Sequence, residues 1–465
     1  MTEFLTPKRI VTAKNCERAE NLLVKKSLQI GLCENSTTYF GNGAYIILDY
    51  GKELNGTVRI LTHLAKNIPV RVRFGESLSE CSAELGGAKN ATNDHAVRDY
   101  TVNLQDYSDM TLINTGFRFL RIDFYGEVAL KSVVAINNIL RKRPVYGYSG
   151  NDKEIRKIFL TAKRTIDLCA AGDYIWDGVK RDRLVWIGDI HPEMLALTTL
   201  YGRMENLERS LDFIKEQTPL PRYMNNFPMY SMWWIIIVAD YFAATNAEDF
   251  AEKQIDYMQG VVKLMLENVS EDGETHYPAN FVDWQTHGKE DEIHGVRAIN
   301  IIAAKKAIEL LKHFNKDTAD AEELLARLLK IEIAPKTSKS VLGLKYFATG
   351  LTADDERKLV VGGAEGMSTF MSYYILKAVA SFDREKAIEM FKEYYGAMLK
   401  KGATTFWEDF DMKWAENSCR IDKMPKKGER DIHGDFGAYC YIGFRHSLCH
   451  GWSSGIIKFI KDIFG

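Results

Sequence analysis

The stretch from Asp173 to Glu193 gathers the side chains that chemistry would need. It holds Asp173, Asp177, Asp182 and Asp189, the cations Lys180, Arg181 and Arg183, and the indoles of Trp176 and Trp186, with no helical or strand period. Pro192 and Glu193 read as the opening of a helix, because proline suits a first helical position and an acid suits the positive end. Asp189 is therefore expected just before a helix N-terminus, where a carboxylate stays ionised. Acids beside indole rings on a loop suit sugar chemistry: rings stack on the apolar face of a sugar, and carboxyls bond its hydroxyls or move protons. A solvated charged loop whose tryptophans plug a core is an equally good reading of this segment alone.

Two further regions carry the same mixture. Phe281-Val-Asp-Trp-Gln-Thr-His287 sets Asp283 beside Trp284, with a loop anchor as the competing role for the acid. Gly402-Ala-Thr-Thr-Phe-Trp-Glu408 ends on Trp407 and Glu408, and His446-Ser-Leu-Cys-His-Gly-Trp-Ser-Ser-Gly455 supplies His450 and Trp452. Hydrolysis of a glycosidic bond takes one protonated carboxyl at the leaving oxygen and one ionised carboxylate that activates water or attacks directly. This chain offers carboxyls for both tasks on separate loops.

Composition narrows the alternatives. The 465 residues are 46% apolar and 27% charged, with a net charge of −2, which disfavours nucleic acid or a membrane surface as partner. The seven cysteines are scattered, without Cys-x-x-Cys pairs or zinc spacing, and read as reduced thiols. His276, His287, His294 and His433 also lack metal spacing. No Gly-x-Gly-x-x-Gly or Walker loop appears, so neither a cofactor nor a metal is expected. The N-terminus has no apolar signal region, and the longest apolar run, Met232 to Ala239, is too short for a bilayer, so a cytoplasmic location is expected. A homo-oligomer is compatible with the sequence, which does not specify one.

The elements that must position these loops change character along the chain. Up to about residue 140, short alternating runs at Ala44–Leu48, Val70–Phe74, Leu120–Phe124 and Val128–Ile136, with turns near Asp49-Tyr50-Gly51 and Leu54-Asn55-Gly56, predict an antiparallel sandwich. The polar stretch Glu84–Arg98 reads as a long loop, and Arg141–Gly150 as a linker. Beyond it the apolar period becomes helical, from Ile155, Ile158, Phe159, Ala162 and Ile166 onward. Helices are expected at Pro192–Tyr201, Leu207–Glu216, Tyr230–Ala244, Phe250–Asn268, His294–Phe314, Ala319–Ile333, Met367–Phe382, Glu385–Lys400 and Ser454–Ile463. The run Met232–Ala239, with Trp233 and Trp234, is apolar all round and marks a helix buried on every side. Amphipathic and wholly buried helices in alternation suit a two-layered ring.

The motifs resemble those of the α-L-rhamnosidases of glycoside hydrolase family 78. The likeness rests on Arg183-Leu-Val-Trp-Ile-Gly-Asp189, Ala403-Thr-Thr-Phe-Trp-Glu408 and Leu448-Cys-His-Gly-Trp-Ser-Ser-Gly455. It extends to Leu48-Asp-Tyr-Gly-Lys-Glu-Leu-Asn-Gly56, Arg73-Phe-Gly-Glu-Ser-Leu78 and Thr115-Gly-Phe-Arg-Phe-Leu120 in the same order. The resemblance implies a mainly α architecture, an (α/α)6 barrel over residues 144–465 preceded by a β-sandwich over 1–143. It implies an inverting hydrolase that removes a terminal sugar, most simply α-L-rhamnose, from a small oligosaccharide or glycoside. On motif position Asp182 is the general acid and Glu408 the general base. Asp177, Arg181, Asp189, Asp283 and His450 would meet the sugar, with Trp186, Trp284, Trp407 and Trp452 as aromatic walls.

Two departures bear on this. The family's first motif commonly reads Arg-Asp-Glu-Arg-Leu, with the Glu as acid, where this chain has Lys180-Arg-Asp-Arg-Leu184. An ungapped alignment gives Asp182 the acid's place; a one-residue deletion would remove the acid and leave a sugar-binding protein. After Gly455 the family's usual C-terminal β-sandwich has no counterpart. Another terminal sugar on the same barrel is the remaining alternative.

Overall fold

The computed structural model describes residues 2–25 and 36–465. Among these, the strands are β1 (Thr2–Leu5), β2 (Arg9–Glu17), β3 (Thr38–Leu64), β4 (Ile68–Gly75), β5 (Asp99–Leu104), β6 (Asp109–Thr111), β7 (Thr115–Phe124) and β8 (Val128–Asn138). They run antiparallel in the order β1-β8-β3-β7-β4-β5, with β2 and β6 also pairing with β3. The helices are α1 (Leu78–Ser82), α2 (Lys153–Cys169), α3 (Ile187–Tyr201), α4 (Glu205–Gln217), α5 (Pro228–Thr245), α6 (Glu248–Glu252) and α7 (Ile255–Glu267). They continue as α8 (Glu292–His313), α9 (Ala319–Leu328), α10 (Lys339–Ala348), α11 (Ala353–Val360), α12 (Ser372–Ala380), α13 (Arg384–Lys400) and α14 (Ile456–Phe464). None of them is long and apolar enough to cross a membrane.

β3 organises the sheet. The turns expected at Asp49–Gly51 and Leu54–Gly56 are not breaks, because a bulge bends one continuous strand there. Its register against β7 shifts between Asp49 and Leu54, and Gly51 takes φ +84°. Asp49 pins the bend, with Oδ1 accepting from Gly51 N at 2.7 Å and from Arg118 Nε at 2.9 Å. The bent strand wraps an apolar core of alternate residues, among them Ile46, Leu48, Val58, Ile60, Val72, Phe117 and Ile122. Each such side chain contributes about 1.5–3 kcal/mol by leaving water.

In the helical region α3 packs on α5, α5 on α8, α8 on α10, α10 on α12, α12 on α14, and α14 back on α3. α5 is apolar around its whole circumference, and Trp233 and Trp234 are fully buried in it. α4, α7, α9, α11 and α13 lie outside this circuit on its members, and α2 bridges α13 and α14. α2 starts where the Asp152 side chain accepts from Glu154 N and Ile155 N at 2.9 and 3.1 Å.

α3 begins five residues before the expected start, so Pro192 lies inside it and Asp189 in its first turn. Asn225 Oδ1 accepts from Ile187 N at 3.0 Å and opens the helix there. α10 and α11 had no expectation from periodicity. In α10 the charges are satisfied internally, Lys345 by Asp355 of α11 at 2.7 Å and Lys339 by the Gly363 carbonyl at 2.6 Å, so buried lysines mask its apolar stripe, while α11 buries only Asp355 and Leu359. The stretch 84–98 is a loop, as expected, and 141–150 carries no regular element. Cys16, Cys81, Cys169, Cys419 and Cys449 are free thiols; Cys33 and the Cys440 side chain lie outside the described residues.

The β region meets the helical region through a buried ionic cluster. Glu76 follows β4 and Glu80 lies in α1; Lys180 Nζ sits 3.1 Å from Glu76 Oε2 and 3.2 Å from Glu80 Oε1. The same ammonium donates to the Phe444 and His446 carbonyls at 2.7 and 2.5 Å. Replacing one member of a buried ion pair leaves the other charge uncompensated, at a cost of about 3–5 kcal/mol. Lys180→Met is expected to lower the unfolding free energy by that amount in urea titration. A loss below about 1 kcal/mol would show that the cluster carries no such weight.

Candidate active site

The cleft opens at the N-terminal ends of α3 and α5, where helix dipoles present partial positive charge, and is closed by the loops that carry Trp284, Glu408 and His450. Three loops are stitched together there by backbone bonds. Gly451 N donates to the Asp177 carbonyl at 2.7 Å, Glu408 N to Ser447 O at 2.9 Å, and His450 N to Phe406 O at 3.1 Å. Segments more than two hundred residues apart in the chain are thereby fixed in one register.

The cleft has a volume of about 200 Å³, of monosaccharide size. Asp177, Arg181, Asp182, Trp186, Asp189, Trp284, Glu408, His450 and Trp452 all line it. Asp283 borders the adjoining hollow beside Glu408. Its Oδ1 accepts from Thr286 N at 2.8 Å and its Oδ2 from Ser340 Oγ at 2.8 Å, the bonds of a loop anchor. Trp407 does not line the cleft: it is 1% exposed, with its ring edge-on to Phe410 at 5.6 Å. Its place as a wall is taken by Tyr441 and Tyr230, the latter edge-on to Trp186 at 6.2 Å.

Glu408 is held from several sides. Its Oε2 accepts from Ser447 N at 2.9 Å, and its backbone carbonyl accepts from Thr369 Oγ1 at 2.6 Å and Trp452 Nε1 at 2.8 Å. Arg181 Nη2 lies 2.5 Å from Glu408 Oε1, while Arg181 Nη1 donates to Asp182. One guanidinium thus spans the two carboxylates expected to do the chemistry. Arg183 points away, bonding the Val179 carbonyl at 2.8 Å and Asn114 Oδ1 at 2.7 Å over the Trp176 ring. Asp182 and Arg183 both adopt left-handed backbone, φ +59° and +57°, a conformation costing non-glycine residues about 1–3 kcal/mol each.

Burial pushes Asp177 and Asp189 well above the usual carboxylate range, reinforced by neighbouring carboxylates. Burial also raises Glu408, but the Arg181 guanidinium and the Ser447 amide oppose the rise. His450 is driven well below its ordinary value by burial and the nearby Arg181 charge, so a neutral imidazole faces Asp177, Asp189 and Glu408 at 3.8, 3.8 and 3.6 Å. Its Nδ1 is buried without a hydrogen-bond partner. This set can donate to and accept from several hydroxyls of one ring, with indoles on its faces.

Sequence reasoning passed over His95, Tyr441 and Arg445. The last two fall just before the His446 motif, a placement that could have flagged them; His95 sits in a polar loop with no such signal. Among the described residues, Glu76, Glu80 and His433 form a metal-ligand-like group, but the Lys180 ammonium lies between the glutamates and supplies the cation.

No family model and no curated protein sequence matches this chain. Solved structures do. A rhamnosidase from Klebsiella oxytoca with rhamnose bound is 18% identical, at TM-score 0.76 over 99% of this chain and 96% of its own. A GH78 family rhamnosidase of Bacillus sp. GL1 is 16% identical, at TM-score 0.68 over 95% of this chain and 48% of its own. The Streptomyces avermitilis α-L-rhamnosidase complexed with L-rhamnose is 14% identical, at TM-score 0.65 over 90% of this chain and 42% of its own. This chain thus spans about half the length, or less, of the latter two. At such identities the likeness is one of fold, and the chain has the fold of these rhamnosidase structures from its β region to its last helix.

Proposed function

We propose that this protein is an inverting glycoside hydrolase that removes a terminal sugar, α-L-rhamnose, from a small glycoside or oligosaccharide. The helical region is read as an (α/α)6 barrel and residues 1–143 as a β-sandwich docked on it; the closed circuit of inner helices supports this. The observation that carries the functional reading is that Asp182 and Glu408, distant in sequence, line one cleft with Arg181 between them. The bound rhamnose of the Klebsiella protein supports the choice of sugar.

In this reading the Asp182 carboxyl gives its proton to the glycosidic oxygen as the bond to the anomeric carbon breaks. Glu408 takes a proton from a water whose oxygen attacks that carbon from the opposite face, which inverts its configuration. Arg181 swings aside from Asp182 when substrate enters and keeps Glu408 ionised. Asp177, Asp189 and His450 hold ring hydroxyls, and Trp186, Trp284 and Trp452 cover the sugar. One observation favours a sugar-binding protein instead: both oxygens of Asp182 are already engaged, by Arg181 and by His95. Calorimetric binding of L-rhamnose with no turnover of any glycoside would decide for that reading.

Asp182→Asn and Glu408→Gln are each expected to lower hydrolysis of alkyl α-L-rhamnosides by about 10²–10⁴-fold, with unchanged near-UV circular dichroism. NMR of the first product should show the β anomer; an α anomer would mean retention and remove the proposed base role.

The pH dependence has a defined sign. A base must be ionised, and burial raises Glu408, so the acidic limb of kcat/KM should lie above that of a free glutamate. Arg181→Met removes the guanidinium that opposes this rise, so the limb should move to higher pH. Movement to lower pH would exclude Glu408 as the titrating base.

A further inference from the structure

We propose that His95, delivered to the cleft by the β region, is a positioning residue for the acid Asp182; this rests on the assignment of Asp182 made above. Of the residues lining the cleft, His95 is the one contributed by the β region. Its Nδ1 faces Asp182 Oδ1, while Arg181 holds the other oxygen. Its Nε2 lies 3.4 Å from Asp94 Oδ1, and Asp94 Oδ2 in turn lies 2.6 Å from Arg445 Nη1 on the cleft wall. The imidazole is therefore set between two carboxylates, one of which is tied to the wall.

The loop that carries His95 is itself docked. The Lys89 carbonyl accepts from Phe444 N at 2.8 Å, and Lys89 Nζ lies 3.1 Å from Asp431 and 2.9 Å from Asp435. Asn90 Nδ2 reaches the Ile442 carbonyl at 3.2 Å. His95 adopts left-handed backbone, φ +63°, facing the left-handed Asp182. Two strained non-glycine residues meeting side chain to side chain mark a contact that the surrounding structure enforces.

The exposure of the two side chains gives the direction. The Asp182 side chain is 13% exposed and that of His95 44%, so the imidazole stands on the solvent side of the acid, where a leaving group departs. When Arg181 releases Asp182 to substrate, His95 remains as the partner that fixes the carboxyl orientation. It acts through Asp182 and makes no bond to the reacting atoms.

The test uses leaving groups. Departure of a dinitrophenolate needs no proton, whereas departure of an alkoxide does. His95→Gly removes the imidazole and tolerates the left-handed backbone; His95→Asn restores a short donor on a residue that also accepts it. His95→Gly should lower kcat at least tenfold on methyl α-L-rhamnoside and less than twofold on the dinitrophenyl glycoside, with L-rhamnose affinity unchanged. His95→Asn should recover most of the loss, and adding His95→Gly to Asp182→Asn should cost nothing further. Equal losses on both substrates, or none on either, would overturn the proposal. If Asp182→Asn itself keeps full activity on the methyl glycoside, the acid assignment fails and this inference with it. If Asp182→Asn shows the leaving-group selectivity and His95→Gly does not, only the role of His95 is lost.

Discussion

The cleft depends on one buried cation. Lys180 lies directly before Arg181 and Asp182 in the chain, and its ammonium is caught between Glu76 and Glu80 of the β region and two carbonyls of the segment 444–446. The glutamates raise the lysine against the effect of its burial, while burial pushes Glu76 up to about 7 despite the lysine. A buried ion pair of this kind is weak evidence for net stability, since desolvation offsets most of the attraction. What it supplies is registry. A displaced Lys180 leaves carboxylates without a cation and carbonyls without a donor, so the loop has one satisfied position. Glu76 adds to this through Leu448 N at 2.6 Å and Ser447 Oγ at 3.2 Å, which ties the His450 segment to the same strand end.

The β region is thus part of the site rather than an appendage. Gly116 in β7 shows how close the approach is: a Cβ there would stand 2.7 Å from Lys180 N and from the Val179 carbonyl carbon. Only a residue without a side chain lets the strand lie against the backbone that leads into Asp182. The sheet thereby fixes the loop that borders the cleft beside the N-terminal ends of α3 and α5. The bend in β3 belongs to the same construction. It places Glu53 N on Thr404 Oγ1 at 2.9 Å and Asn55 Nδ2 on the Leu168 carbonyl at 2.9 Å, beside the segment that runs on to Glu408.

Much of this was legible in the sequence, and the failures have physical causes. Helices with a clean apolar stripe or an apolar circumference, such as α2 and α5, were found because the signal is local. α10 carries no legible stripe because its lysines are buried against partners outside the helix, and α11 buries only Asp355 and Leu359. β3 was cut short because Gly51 and Gly56 read as turns, whereas the first marks a bulge and the second a close approach: a Cβ on Gly56 would stand 1.9 Å from the Ile136 carbonyl oxygen. Pro192 suits a first helical position, yet the helix begins at Ile187 and carries the proline inside. At the site, residues embedded in motifs were legible. Trp407 departs from its expected place because Glu408 faces the cleft while the adjacent indole turns into the core. His95 was invisible because nothing in residues 84–98 records which loop they dock on.

The acid proposed here is a short one. An aspartate lacks one methylene of the glutamate common in the family it resembles, and proton transfer requires hydrogen-bond reach. Two features shape the backbone around Asp182. Asp182 and Arg183 are both left-handed, which turns the chain sharply and projects the Asp182 side chain from the apex of the turn. The Asp177 side chain closes the turn from within, with Oδ1 accepting from Leu184 N at 2.9 Å, while the Asp177 amide donates to the Leu184 carbonyl at 3.2 Å. The loop is thereby a tight knuckle clamped at its base, held from below by Lys180 and flanked by Arg181 and His95 at its tip.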